Sequence, residues 1–242
     1  MGSRETILHS DNGDRTLVIM AKAPRAGVVK TRLAQSLSAE AVVELYRCLL
    51  SDTMALAHSL AGVNVAIMCP ASDVEELARI AGLEIRVIEQ HGDGLAAGLT
   101  SVFAQFAAQG GHRVIAFNSD SPHLPSTVLA SAFEMLNSHD VVVGPTDDGG
   151  YYLVGAKAPH EALFHGDGLG TNSALDALLA QAGRLHLSVG FTDLFYDVDV
   201  EGDLTRLADE LRLAPARAPR TAAWLKQWQA VTPPSRSAAG EL

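Results

Sequence analysis

Cysteine is almost missing from this sequence: Cys48 and Cys69 are the only two in 242 residues. That excludes a disulfide framework and a Cys-rich zinc site. Positive charge is also scarce. The chain has 18 Lys and Arg against 28 Asp and Glu, a formal net charge of −10. A broad nucleic-acid-binding surface is excluded on that balance, while a local basic pocket is not. No apolar run reaches the roughly 18 residues that a membrane-spanning helix needs. Met1 to Arg15 is polar and lacks the apolar centre of a secretory signal. The expectation is a soluble, cytoplasmic protein with no membrane and no nucleic-acid partner.

Several catalytic signatures are absent as well. There is no G-x-x-x-x-G-K-[ST] phosphate loop, no H-E-x-x-H, no G-x-S-x-G and no G-x-G-x-x-G after the first strand. These absences argue against a P-loop NTPase, a zinc hydrolase, an α/β-hydrolase and a dinucleotide-dependent dehydrogenase.

Hydrophobic residues make up 48% of the chain, enough for a sizeable core. Short β-branched apolar runs recur at Thr16–Met20, Val63–Met68, Glu84–Ile88, Arg113–Phe117, Asp140–Val143 and Tyr151–Val154, with a weaker one at Leu185–Val189. Between them lie segments of helical period. The first, Ala39–Leu60, puts Val42, Leu45, Leu49, Leu56 and Leu60 on one face. A second starts at Ser72, with Glu75 three residues on as the partner of a capping box. Others are expected over Leu95–Gln109, Ser126–Leu136, Asn172–Gln181 and Asp203–Leu211. Alternation of this kind predicts an α/β fold with a mostly parallel sheet covered on both faces. The Gly/Asp turn before Tyr151 adds one local antiparallel pairing. Trp224 and Trp228 lie four apart in Thr221–Ala230, as in a short docking helix that packs on the core. We expect a tail over 1–15, one domain over 16–230 and a second tail over 231–242.

Ligands of such sheets bind at the carboxyl ends of the strands. The first strand leads into Ala21-Lys-Ala-Pro-Arg-Ala-Gly-Val-Val-Lys-Thr-Arg-Leu33. Lys22, Arg25, Lys30 and Arg32 crowd this one loop, and Pro24 and Gly27 force a turn that exposes backbone amides. Cations and amides together suit a di- or triphosphate, and Ala21 and Ala23 join the candidates; a solvated basic loop is the simpler alternative. The run Val114–Phe117 ends in Asn118-Ser-Asp-Ser-Pro-His-Leu-Pro125. Asp120, facing a phosphate loop, is suited to hold Mg²⁺ or Mn²⁺, with Ser119 beside the nucleotide; Asp120 could otherwise only cap a helix. His123 is either an accessory group or, more commonly for a lone histidine, structural.

In Gly144-Pro-Thr-Asp-Asp-Gly-Gly-Tyr-Tyr-Leu-Val-Gly155, Asp147 and Asp148 precede Gly149, Gly150 and Tyr151. The carboxylates can orient an acceptor or act as base, the glycines allow close approach, and Tyr151 offers a ring and a hydroxyl. A plain hairpin turn explains the same residues equally well. Asp197 and Asp199, two apart in an extended stretch, share one side and can join Asp120 at a metal, whereas Asp203 reads as a helix cap. Gly92, Asp93 and Gly94 form a strand-to-helix turn able to hold a base or ribose.

These blocks, in this order, resemble the DUF2064 family over about residues 16–212. Its members are described as GT-A-like glycosyltransferases or nucleotide-diphospho-sugar transferases. The resemblance implies a three-layer α/β/α sandwich with a mixed, mostly parallel sheet, the basic loop on the nucleotide phosphates, and Asp120 at the metal-binding acidic position. After the Tyr-Tyr strand the family often has Trp-Ser-Thr, of which this sequence keeps only Thr171, a candidate substrate contact. The expected activity is a metal-dependent transferase that moves a glycosyl group from a nucleotide-diphospho-sugar to a small-molecule acceptor. Lys22, Lys30, Asp120 and Asp148 would be its catalytic residues. Related guanylyltransferases keep the alternative open of an NTP donor with pyrophosphate release. A nucleotide-binding module without turnover is the third reading.

Overall fold

A computed structural model describes residues 14–110, 112–165 and 173–231. Its sheet comprises β1 (Arg15–Met20), β2 (Asn64–Cys69), β3 (Arg86–Glu89), β4 (Arg113–Asn118), β5 (Val141–Pro145), β6 (Tyr151–Ala156) and β7 (Val189–Phe191). The strand order is β3-β2-β1-β4-β6-β5-β7. All neighbours are parallel except β6, which runs antiparallel to both β4 and β5. The carboxyl ends of β1, β2, β3, β4, β5 and β7 therefore share one edge, and β6 starts there.

The helices are α1 (Ala39–His58), α2 (Val74–Ala81), α3 (Gly94–Ala108), α4 (Ser126–Met135), α5 (Ala174–Arg184), α6 (Glu201–Leu213) and α7 (Pro219–Val231). Apolar side chains of α1, α2 and α4 bury one sheet face against Leu17, Ile19, Ile115 and Phe117. Leu99, Phe103 and Leu178 of α3 and α5 bury the other against Val18, Val114 and Val143. This is the expected α/β/α sandwich. The outer side of α1 carries a third cluster, in which Leu45 and Leu49 meet Leu204, Leu207 and Leu225 of α6 and α7. Trp224 and Trp228 stack there at 6.3 Å, as core packing requires. Asp52 of α1, almost fully buried, accepts the Thr221 amide at 2.8 Å and so caps α7 from another helix. Among the described residues no helix is long and apolar enough to cross a membrane.

Three local expectations are corrected. Arg15 lies in β1, not in a tail, because its backbone pairs with Arg113 and its side chain with Glu134 at 2.7 Å. The last strand occupies Val189–Phe191, since Leu185 ends α5 and His186 turns with φ +55 before Val189 meets Val141. The Ser72–Glu75 capping box does not form: the Ser72 hydroxyl bonds Asp73 at 2.8 Å, and Glu75 pairs with Arg79 one turn on.

Candidate active site

The loop after β1 crosses the shared edge, and its first amides are occupied. Ala21 donates to the Met68 carbonyl at 3.1 Å, Lys22 to the Tyr46 hydroxyl at 3.2 Å and Ala23 to Asp73 at 2.9 Å. The expectation that this loop offers free backbone amides therefore fails at Ala21–Ala23. The exposed part is the turn around Gly27, whose φ of +74 only glycine adopts without strain. The cations also divide. Arg25 is paired with Asp73 and Glu76. Lys22 is exposed, and no carboxylate among the described residues pairs with it.

Lys30 is different. Its backbone takes φ +47, unusual for a residue with a Cβ, and its side chain is only 3% exposed. The ammonium lies 2.7 Å from Asp120 and 2.9 Å from Asp199. Arg32 approaches the other Asp199 oxygen at 3.5 Å. Three separate loops, those after β1, β4 and β7, are joined by this one group. Burial works against the Lys30 charge, but the two carboxylates outweigh it and hold the ammonium above its ordinary pKa. Burial likewise opposes ionisation of Asp199, and Lys30 and Arg32 overcome it.

Asp197 meets this cluster from the buried side. Asn118 and Ser121 donate to one of its oxygens at 2.6 and 3.2 Å. Burial first, then the Asp120 charge, raises its pKa from 3.8 to about 7. Asp197 and Asp199 thus share one side of the extended segment, as the period of two predicts, while Tyr196 and Val198 enter the outer core. Asp203 accepts the amides of Asp199 and Val200, both at 2.8 Å, and so is the cap expected. Ser119 bonds Asp120 at 3.2 Å and the Tyr46 hydroxyl at 2.9 Å. Burial, and then the Asp120 charge, pushes the Tyr46 phenol up to about 12, so it stays protonated.

The glycine-rich turn lies beside this cleft. Gly92 and Gly94 take φ of +80 and +84, and Gln90 holds the turn by donating to the Gly92 carbonyl at 2.8 Å. A Cβ at Gly98 would come within 2.9 Å of Met20, the last residue of β1, so α3 approaches the start of the loop after β1 closely. Asp93 precedes α3 without capping it.

The acceptor candidates are arranged otherwise than expected. One Asp148 oxygen accepts both the Thr146 hydroxyl at 2.6 Å and the Gly150 amide at 3.0 Å, and Gly149 turns with φ +87. That is the hairpin-turn alternative realised. Asp147 instead pairs with Arg206 of α6 at 2.8 Å, and Arg206 lies 3.7 Å over the Tyr196 ring. The Tyr151 hydroxyl is buried without a hydrogen-bond partner, and burial raises its pKa. His123 is buried beneath the Asp120 loop against Tyr196, with neither ring nitrogen bonded, which fits the structural reading. Thr171 lies outside the described residues. Among those described, no three His, Cys, Asp or Glu side chains are grouped as a ready metal-ligand set.

Sequence reasoning missed Tyr46, Asp73 and Arg206. All three act from helices or helix starts of unrelated segments, and no local spacing marks them.

Residues 53–171 match the family model DUF2064, described as an uncharacterized protein conserved in bacteria. Over that stretch the chain is similar to the DUF2064 family. It is also similar to a structure from Desulfovibrio desulfuricans G20 named for the nucleotide-diphospho-sugar transferases. Identity is 25% and TM-score 0.84 over 90% of this chain and 96% of that one. More distant likenesses show the fold alone. One is CMP:2-keto-3-deoxy-manno-octonic acid synthetase complexed with CTP (10% identity, TM-score 0.55, 84% and 99% covered). Another is 4-diphosphocytidyl-2C-methyl-D-erythritol synthase from Anaerococcus prevotii DSM 20548 (11%, 0.54, 83% and 97%). No curated protein matches the sequence. The chain thus has the fold of nucleotide-diphospho-sugar transferases.

Proposed function

We propose that this protein is a divalent-metal-dependent transferase that uses a nucleotide-diphospho-sugar and passes the sugar to a small-molecule acceptor. The observation that carries the reading is the buried Lys30 ammonium held between Asp120 and Asp199 at the carboxyl edge of the sheet. Asp120 and Asp199 pair with this one buried cation, and Asp197, close enough to feel the Asp120 charge, is pushed toward protonation. The excess negative charge and all-oxygen donor set fit a hard cation such as Mg²⁺ or Mn²⁺, with phosphate and water completing its shell. Similarity to the Desulfovibrio protein supports the choice of donor.

In this reading the Asp120, Asp197 and Asp199 carboxylates would hold the cation. When bound, it supplies Lewis-acid stabilisation to the departing diphosphate. Lys30 and the exposed Lys22 add fixed positive charge where charge develops on the leaving group. The turn around Gly27 lets phosphate approach the loop, and the Gly92–Gly94 turn takes the base or ribose.

The test is an incubation with Mg²⁺, a pool of small alcohols and phosphorylated acceptors, and separately each NDP-sugar and each NTP. The proposal expects sugar release or transfer from an NDP-sugar without pyrophosphate. Pyrophosphate released from an NTP, with no sugar transfer, would move the assignment to a nucleotidyltransferase. No reaction and no nucleotide binding would support a non-catalytic role.

A further inference from the structure

Asp73 stands at the start of α2, where a capping carboxylate normally accepts amides of its own helix, yet it accepts none of them. Its side chain is 4% exposed, and both oxygens are turned across to the loop after β1. One accepts the Ala23 amide at 2.9 Å. The other accepts from the Arg25 guanidinium and, at 2.8 Å, from the Ser72 hydroxyl. Ala23 is fully buried, so its amide has no water to turn to if Asp73 is lost. Arg25 is directed further at Glu76, 3.5 Å away, which Arg47 also approaches at 3.8 Å. The guanidinium that looked in the sequence like a phosphate ligand is held by two carboxylates of α2 and its approach.

We infer that Asp73 is a positioning residue for the donor-phosphate loop, with Arg25 as its strut and not a phosphate ligand. The functional half of this rests on the nucleotide reading given above. The loop leaves the sheet at Met20, turns at Gly27 and returns to seat Lys30 between Asp120 and Asp199. Ahead of the turn, Asp73 supplies both a backbone anchor and a side-chain anchor. Without it the loop samples more conformations, and a bound phosphate must select the competent one, so apparent affinity falls by the fraction populated.

Calorimetry with UDP-glucose, GDP-mannose, CTP and GTP, each with Mg²⁺, tests the inference alongside hydrogen exchange of peptides covering residues 20–32. Asp73→Ala is expected to weaken binding of the responding nucleotide about tenfold. Asp73→Asn, whose amide oxygen still accepts the Ala23 amide, should lose less. Arg25→Ala should weaken binding in the native background but add less than about twofold in Asp73→Ala, because the two act as one unit. Equal, additive losses from Arg25→Ala in both backgrounds would mean that Arg25 touches phosphate, and would overturn the inference. Exchange over 20–32 should quicken in Asp73→Ala and change little in Asp73→Asn. Unchanged exchange in Asp73→Ala overturns the positioning role whether or not any nucleotide binds. If no nucleotide binds the native protein, the donor reading fails, and the exchange result alone decides whether Asp73 orders the loop.

Discussion

Lys30 reaches Asp120 at 2.7 Å from a backbone held at φ +47, so the ion pair that ties the loop after β1 to the loop after β4 is made by a residue in an unfavourable conformation. Such a conformation persists only where surrounding contacts over-determine it, here the second bond to Asp199 at 2.9 Å. Removing the ammonium leaves carboxylates facing one another. Lys30→Met should destabilise the metal-free protein by about 2 kcal/mol, below the usual cost of breaking a buried pair because Asp120 and Asp199 are partly solvated. Added Mg²⁺ should recover part of that loss. Urea denaturation of both proteins with EDTA and with Mg²⁺ measures it, and an equal deficit in the two conditions would refute the shared-charge account.

Asp120→Asn separates chemistry from folding. The substitution keeps size and most hydrogen bonding. It weakens the Lys30 pair while relieving Asp197, so the melting temperature without metal should fall by only a few degrees and the protein should stay folded. Nucleotide-dependent turnover should fall by orders of magnitude, since charge at the leaving diphosphate is where such sites act most strongly. The Mg²⁺-dependent part of the nucleotide thermal shift should vanish too. Retained Mg²⁺-stimulated turnover would move the metal to Asp197 and Asp199.

Two buried groups near this loop titrate in opposition. His123 has its pKa lowered from 6.5 to about 4, by burial and then by Arg206 and Arg217, so the fold prefers it neutral. Its contribution is complete above pH 6.5 and is lost as pH falls through 4, a change of about 3 kcal/mol. Asp197, raised from 3.8 to about 7, is preferred protonated. Its contribution is complete below pH 3.8 and is lost as pH rises through 7, by about 4 kcal/mol. In metal-free native protein the two slopes offset one another between pH 4 and 7. Asp197→Asn should expose a stability that climbs with pH across that window, and His123→Phe one that declines. Chemical denaturation at several pH values reads both slopes; variants as flat as the native protein would contradict this balance.

Strands β1 to β6 were legible because each is a separate apolar run, and the antiparallel β6 was legible because Asp148-Gly149 marks a turn. Strand β7 was not, because Leu185, His186 and Leu187 belong to the end of α5 and the turn after it. Asp120 was legible because it follows a strand, where α/β sheets carry their ligands, and Asp197 and Asp199 because they lie two apart in an extended stretch. The destination of Arg25 was not. Its distance from Asp73 is 48 residues in sequence, and a guanidinium beside Gly27 looks the same whether it meets phosphate or a carboxylate. Asp73 itself read as part of a helix start, since local capping is what Ser72 and Glu75 promise. Tertiary pairing overrode that promise. The charge of Lys30 is plain in the sequence, but nothing local foretells that its side chain is nearly buried.

Asp148 provides the last test, because its two candidate roles demand different atoms. A base needs a free carboxylate oxygen and its negative charge, whereas the turn needs only an acceptor at the oxygen that meets Thr146 and Gly150. An asparagine supplies that acceptor, so Asp148→Asn should keep stability within about 0.5 kcal/mol. Turnover should then stay within a few-fold of native if the turn is its whole role. Gly150→Ala makes the complementary change. Its new Cβ would lie 2.8 Å from the Thr146 hydroxyl and 3.1 Å from Asp148, so the hydrogen-bonded turn must open. A loss of about 1–3 kcal/mol is expected from such crowding, together with a raised acceptor KM as the Tyr151 end of β6 shifts. Thermal melts and acceptor kinetics on the two variants decide between the roles. If Asp148→Asn folds normally and loses kcat by a hundredfold or more at unchanged KM, the carboxylate is a base after all, and the turn is only what holds it there.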